Sequence, residues 1–136
     1  MAKAEELIPA SYHTKLADSA WKVRLEGADE MVTWVSEGGG EEVESEIMMR
    51  FLSKIPGWGE KNFQVSGKIF QVIQLMAEKS ASFGKPAASL VIGPLTDKLG
   101  DLKLKKPAGE ALIAIAEKTS LAFLLAQCES RPEVHC

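Results

Sequence analysis

Apolar residues recur along this chain at spacings near three and four, and no stretch alternates as a half-buried strand would. The pattern predicts a succession of amphipathic helices. A first helix is expected from about Glu5 to Leu16, with Leu7, Ile8, Tyr12 and Leu16 on one side and Pro9 tolerated in its first turn. Asp18 or Ser19 caps a second, whose stripe is Trp21, Leu25, Ala28, Met31, Val32 and Val35; Trp34 falls near the end of it and reads as core. Gly38, Gly39 and Gly40 end that helix. Glu41 to Lys54 predicts a third, acidic in its first turn as the helix dipole prefers, with Val43, Ile47, Met48, Phe51 and Leu52 inward.

The stretch from Ile55 to Ile73 begins with breakers, Pro56, Gly57 and Gly59, and opens a fourth helix that runs to about Lys79. Its apolar stripe is Phe63, Ile69, Phe70, Ile73, Leu75 and Met76. Trp58 stands in the turn itself, followed by Glu60, Lys61 and Asn62. It reads equally as part of a contact loop and as a lid folded back on the helix pair. A fifth helix spans Pro86 to about Leu99, with Leu90, Val91, Leu95 and Leu99 inward and a kink expected at Pro94. Pro107 begins a sixth that buries Leu112, Ile113, Ile115 and Ala116, and Leu121 to Gln127 starts a seventh.

Six helices in three hairpins suggest an internal repeat. Placing Gly27 over Gly67 over Gly109 gives offsets of 40 and 42 residues and stacks Trp21 over Lys61 over Lys103. That period lies in the range of roughly 40 to 47 residues for paired-helix HEAT or armadillo repeats. No single hairpin here can bury its apolar face, whereas three stacked hairpins share one core. The turns inside the hairpins, Asp18 to Lys22, Pro56 to Asn62 and Gly100 to Lys106, then emerge along one edge.

Composition narrows the function. With 136 residues, 46% hydrophobic and 26% charged, the chain is expected to form one helical domain or part of one. A formal charge of −3 gives no reason to expect a nucleic acid, and no apolar run reaches the roughly 18 residues of a membrane span. The opening Met-Ala-Lys-Ala-Glu-Glu-Leu lacks a secretory pattern, and the cysteines, Cys128 and Cys136, make no disulfide framework, so a reducing cytoplasm is the expected compartment. His13 and His135 stand at opposite ends without a nearby nucleophile, and Cys128, His135 and Cys136 miss the usual zinc spacing. Neither an enzyme nor a cofactor or metal site is expected.

Three blocks carry a family resemblance: Ser-Ala-Trp-Lys-Val-Arg-Leu-Glu at 19–26, Ile-Pro-Gly-Trp-Gly-Glu-Lys-Asn-Phe-Gln-Val at 55–65, and Asp-Lys-Leu-Gly-Asp-Leu-Lys at 97–103 with Glu-Ala-Leu-Ile-Ala-Ile-Ala-Glu at 110–117. Together they resemble the TOG domains of microtubule polymerases, most closely the first half of the third domain. The resemblance implies an all-α fold, a right-handed α-solenoid of about three HEAT-like hairpins forming a partial TOG domain. Repeats would lie at about 5–37, 41–80 and 85–118, with the start of a fourth at 119–127 and a non-family tail at 128–136. It further implies binding of αβ-tubulin or microtubules, at the cytoskeleton and spindle, through Trp21, Lys22, Trp58, Lys61, Asn62, Lys103 and Lys105.

Lys22, Arg24, Lys61, Lys103, Lys105 and Lys106 on one edge would suit an acidic partner, and Trp21 would be its hot spot. The plainer alternatives are a Trp21 that closes the end of the core and lysines that are solvated helix starts. Leu121, Phe123, Leu124 and Leu125 would lack a repeat to stack on, which also raises self-association through the last hairpin. A generic HEAT scaffold without tubulin contact is the competing function.

Overall fold

A computed structural model describes residues 7–129, and every regular element in them is helical. The expected helix start at Glu5 and the tail from Ser130 onward lie outside these residues. The seven α-helices are α1 (Ala10–Lys15), α2 (Trp21–Ser36), α3 (Ser45–Leu52), α4 (Phe63–Lys79), α5 (Lys85–Asp97), α6 (Lys105–Lys118) and α7 (Leu121–Glu129). They make three hairpins, α1–α2, α3–α4 and α5–α6, with α7 following. No helix among the described residues is long and apolar enough to cross a membrane.

The hairpins stack as two layers. In one, α2 packs on α4 and α4 on α6; in the other, α3 packs on α5 and α5 on α7, while α1 lies against α2. Contacts fix the second helices as parallel. Lys68 of α4 reaches Asp29 of α2 at 3.0 Å, and Lys103, just before α6, sits over Phe63 at the start of α4. The second helices begin at residues 21, 63 and 105, so each start follows the last by 42 residues. This register differs from the glycine alignment by two residues in the first repeat. It makes Trp21, Phe63 and Lys105 equivalent, rather than Trp21, Lys61 and Lys103.

One apolar core runs through the stack, with Met48, Met49, Leu52, Ile73, Met76, Ile92, Leu95 and Ile115 fully buried. Trp34 is half-buried and its ring lies 5.5 Å from that of Tyr12. His13 bonds the Ile8 carbonyl at 3.2 Å and meets Phe51 edge-on, which makes it part of the packing. At the edge opposite the hairpin turns, Ser45 N–H donates to Ser82 Oγ at 2.9 Å and Ser45 Oγ to Ser80 Oγ at 3.1 Å, tying the start of α3 to the α4–α5 connection.

Several expectations need correction. Pro9 occupies the N-cap position before α1, not its first turn, and Leu7 ahead of it is exposed. The third helix starts at Ser45, because Gly39–Glu42 forms a separate 3-10 turn after Gly38 leaves the helix at φ 93°. It ends at Leu52 in a wide turn over Ser53–Gly57 that contains a cis Ile55–Pro56 bond. Ile113 is exposed, since Ala108, Ala111, Leu112 and Ile115 fill the inward stripe and place it on the opposite side of α6. Phe63 is exposed too, because the buried stripe of α4 begins only at Val65. Phe123 and Leu124 do find cover: both pack against the core, and Lys85 lies over the Phe123 ring. The seventh helix starts at Leu121 as expected and runs to Glu129.

Close approach of α1 to α2 depends on Gly27, where an added Cβ would lie 2.7 Å from the Cβ of Lys15. Gly67 in α4 has room, its nearest foreign atoms standing 4.0 Å from such a Cβ. Gly27→Ala is therefore expected to lower stability by about 1 kcal/mol, overpacking outweighing the gain in helix propensity, while Gly67→Ala raises it by about 0.5–1 kcal/mol. Urea denaturation of the two variants checks the opposite signs.

Candidate functional site

The parallel second helices bring three turns to one end of the stack: 17–20 before α2, 53–62 before α4 and 98–104 before α6. All three close with the same local device, a side-chain oxygen that accepts the backbone N–H two residues on. Asp18 Oδ1 takes Ala20 N–H at 2.7 Å, Glu60 Oε2 takes Asn62 N–H at 3.0 Å, and Asp101 Oδ1 takes Lys103 N–H at 2.8 Å. Asn62 repeats it and caps α4, its Oδ1 accepting from Gln64 N–H at 2.9 Å and Val65 N–H at 3.2 Å. For the second helix, the cap expected from Asp18 or Ser19 is absent. Ala20 stands at that position, and Asp18 braces the turn instead.

The first two turns are locked together by Arg24 and Glu60. Arg24 Nε lies 2.7 Å from Glu60 Oε1 and its Nη2 lies 3.0 Å from Oε2, a bidentate pair. The remaining guanidinium nitrogen donates to the carbonyls of Asp18 and Ser19 at 2.9 and 3.0 Å. Only 4% of the Glu60 side chain and 20% of the Arg24 side chain is exposed. Burial pushes the Glu60 carboxyl up, but hydrogen bonds from Arg24 and from backbone N–H groups outweigh it and hold the group below its ordinary 4.5. Arg24, expected on the outer edge for a partner, is thus consumed internally. Its pairing spans 36 residues, and no local spacing in the sequence signals it.

With the carboxylates of Asp18, Glu60 and Asp101 turned to backbone and Arg24, the lysines are left outward. Lys22, Lys61, Lys103, Lys105 and Lys106 are exposed, and none is in an ion pair among the described residues. Lys22, Lys105 and Lys106 sit in helix first turns, and the first turns of α2, α4 and α6 hold no acidic residue. Each lysine there opposes the helix dipole, at a cost of about 0.3–1 kcal/mol.

Trp21 is 39% exposed at the first position of α2, with Lys22 Nζ 5.9 Å from its ring. Trp58 is half-buried and packed against the core, and with Ile69, Phe70 and Pro94 it walls a cleft of about 360 Å³ between the second turn and α5. Two exposed apolar residues of this edge escaped the sequence reading. Phe63 is 42% exposed, with Lys103 Nζ 4.4 Å from its ring, and Leu102 is 94% exposed. Even spacing of the helix starts would have exposed Phe63 as the counterpart of Trp21.

No family model matches this chain. It is 33% identical over 125 residues to Protein mini spindles of Drosophila melanogaster, covering 90% of this chain. With Protein MOR1 of Arabidopsis thaliana it shares 30% identity over 113 residues, 82% of this chain. It spans only 6% of the length of either relative. Among solved structures, Drosophila melanogaster Mini spindles TOG3 superposes with a TM-score of 0.79 at 31% identity, over 90% of this chain and 55% of that one.

Replacing Glu60 by Gln leaves the buried guanidinium without its counter-charge and is expected to lower stability by about 2 kcal/mol. Because the folded carboxyl titrates below its ordinary value, the wild-type increment is full above pH 4.5 and is lost as pH falls through the folded value. The gap between wild type and Glu60→Gln should therefore narrow on acidification, as read from denaturation midpoints at pH 7 and below pH 4.

Proposed function

We propose that this chain, a partial TOG domain most like the first half of the third such domain of the microtubule polymerases, recognises tubulin through the turn edge of its solenoid. The observation that carries this reading is the sorting of charge at that edge. Turn carboxylates are engaged by backbone N–H groups and, at Glu60, by Arg24, and five exposed lysines are in no ion pair among the described residues. An acidic protein surface is the complement of such an edge, and the local field steers it although the chain as a whole is acidic. Trp21, Lys22, Lys61, Lys103 and Lys105 are the direct contacts. Trp58 and Asn62 hold the second turn in shape, the one by packing on the core and the other by capping α4. The module acts at microtubules and the spindle as part of, or derived from, a microtubule polymerase.

A second reading has one observation in its favour. Leu125 on α7 is exposed, and α7 packs on α5 and α6 at the end of the described stack, so a self-associating HEAT scaffold could use this end. The two readings place affinity at different ends of the molecule.

Analytical ultracentrifugation with unpolymerised tubulin separates them. The wild-type chain should form a complex that weakens as salt rises. Trp21→Ala with Lys103→Ala should weaken it by at least roughly tenfold, the scale of losing an aromatic anchor and a charge. A chain that ignores tubulin and sediments as its own dimer, reverting to monomer on Leu125→Ser, would sink the tubulin reading in favour of the scaffold.

A further inference from the structure

Resting on the tubulin reading, we infer that Phe63 and Leu102 form an apolar centre of the same edge, so that the partner offers a hydrophobic hollow rimmed by carboxylates and not an acidic surface alone. Leu102 is the sharper observation. It is 94% exposed, whereas Leu104 two residues on is buried. Nothing in the fold uses its side chain. A polar residue would serve the turn equally well, because Asp101 and the Lys98 carbonyl hold it: the Asp101 side chain takes Lys103 N–H, its carbonyl accepts Leu104 N–H at 3.1 Å and Lys105 N–H at 2.8 Å, and its own N–H donates to the Lys98 carbonyl at 3.1 Å. A leucine presented on a turn pinned this way is preorganised, and little conformational freedom is lost when a partner covers it.

Phe63 joins that crest to the neighbouring repeat. Its ring is the first element of α4, and Lys103 Nζ lies 4.4 Å from the ring, so repeats two and three form one patch at this point. Lys61, Lys103, Lys105 and Lys106 stand around it in sequence and are all exposed. An apolar centre with a charged rim is the anatomy of a specific protein interface, in which desolvated central side chains dominate and rim charges set rate and orientation. The helix starts also match, for Trp21 holds on α2 the position that Phe63 holds on α4.

Tubulin binding by the full chain is measured at several salt concentrations for wild type, Leu102→Ser, Phe63→Ser and Lys103→Ala. Ile113→Ser, an exposed apolar residue on the outward side of α6, is the control, and thermal unfolding confirms that each variant folds. Leu102→Ser and Phe63→Ser should each weaken binding by roughly tenfold with the salt slope unchanged, and Lys103→Ala should flatten the slope. Leu102→Ser and Phe63→Ser variants that bind like Ile113→Ser, beside a wild type that binds tubulin, would overturn the apolar centre alone. A wild type that does not bind would overturn the tubulin reading and this inference with it.

Discussion

One buried ion pair governs the geometry of the turn edge. Arg24 belongs to α2 and Glu60 to the turn before α4, and their bidentate contact is the point where the first and second repeats are held in angular register. A pair of this kind yields little net stability against an apolar alternative, since two charges must be desolvated. What it supplies is uniqueness. The guanidinium nitrogens find acceptors in two segments, Nε and Nη2 on the Glu60 carboxylate and Nη1 on the carbonyls of Asp18 and Ser19, so a slide of α2 along α4 would strand a buried charge. Leucine and methionine contacts between the same helices would tolerate such a slide.

Stacking then carries this local constraint through the molecule. Three parallel second helices put their N-terminal ends together, and whatever precedes them must share one surface. The shared side-chain-to-backbone bond at i+2 in each turn keeps that surface from fraying, because each turn satisfies its own donors without help from a neighbour. At the opposite edge the Ser45, Ser80 and Ser82 hydroxyls do the equivalent work between repeats. The turn edge is thus braced along its length.

Much of this was legible from the sequence, and the parts that were not share a cause. Helical periodicity placed the end of α4 at about Lys79, where it lies, and the approximate repeat period and the positions of the three turns followed from glycine and proline punctuation. Periodicity reports which face of a helix is apolar, but not whether a neighbour covers it. Phe63 therefore passed for core, as did Ile113, and both are exposed. Charge patterning likewise reports that Arg24 lies among basic residues. It cannot report that a glutamate 36 residues later folds in to take it. The repeat register slipped for a related reason: Gly27 is fixed by the approach of α1, a constraint with no counterpart at Gly67, so the two glycines were never equivalent.

The lysines at the helix starts point the same way as the exposed aromatics. Folding alone favours carboxylates in a helix first turn, and α3 has one, Glu46, while its N-terminus lies at the opposite edge. The helices whose N-termini form the turn edge have none, and two of them carry lysine there instead. At the opposite edge the rule is kept by α3 but not by α5, which opens on Lys85 with no acidic residue in its first turn, whereas at the turn edge none of the three second helices keeps it. Stability is conceded at the edge that also leaves Trp21, Phe63 and Leu102 in water, and these concessions coincide in space. A solenoid under selection for stability alone would remove each of them with a single substitution.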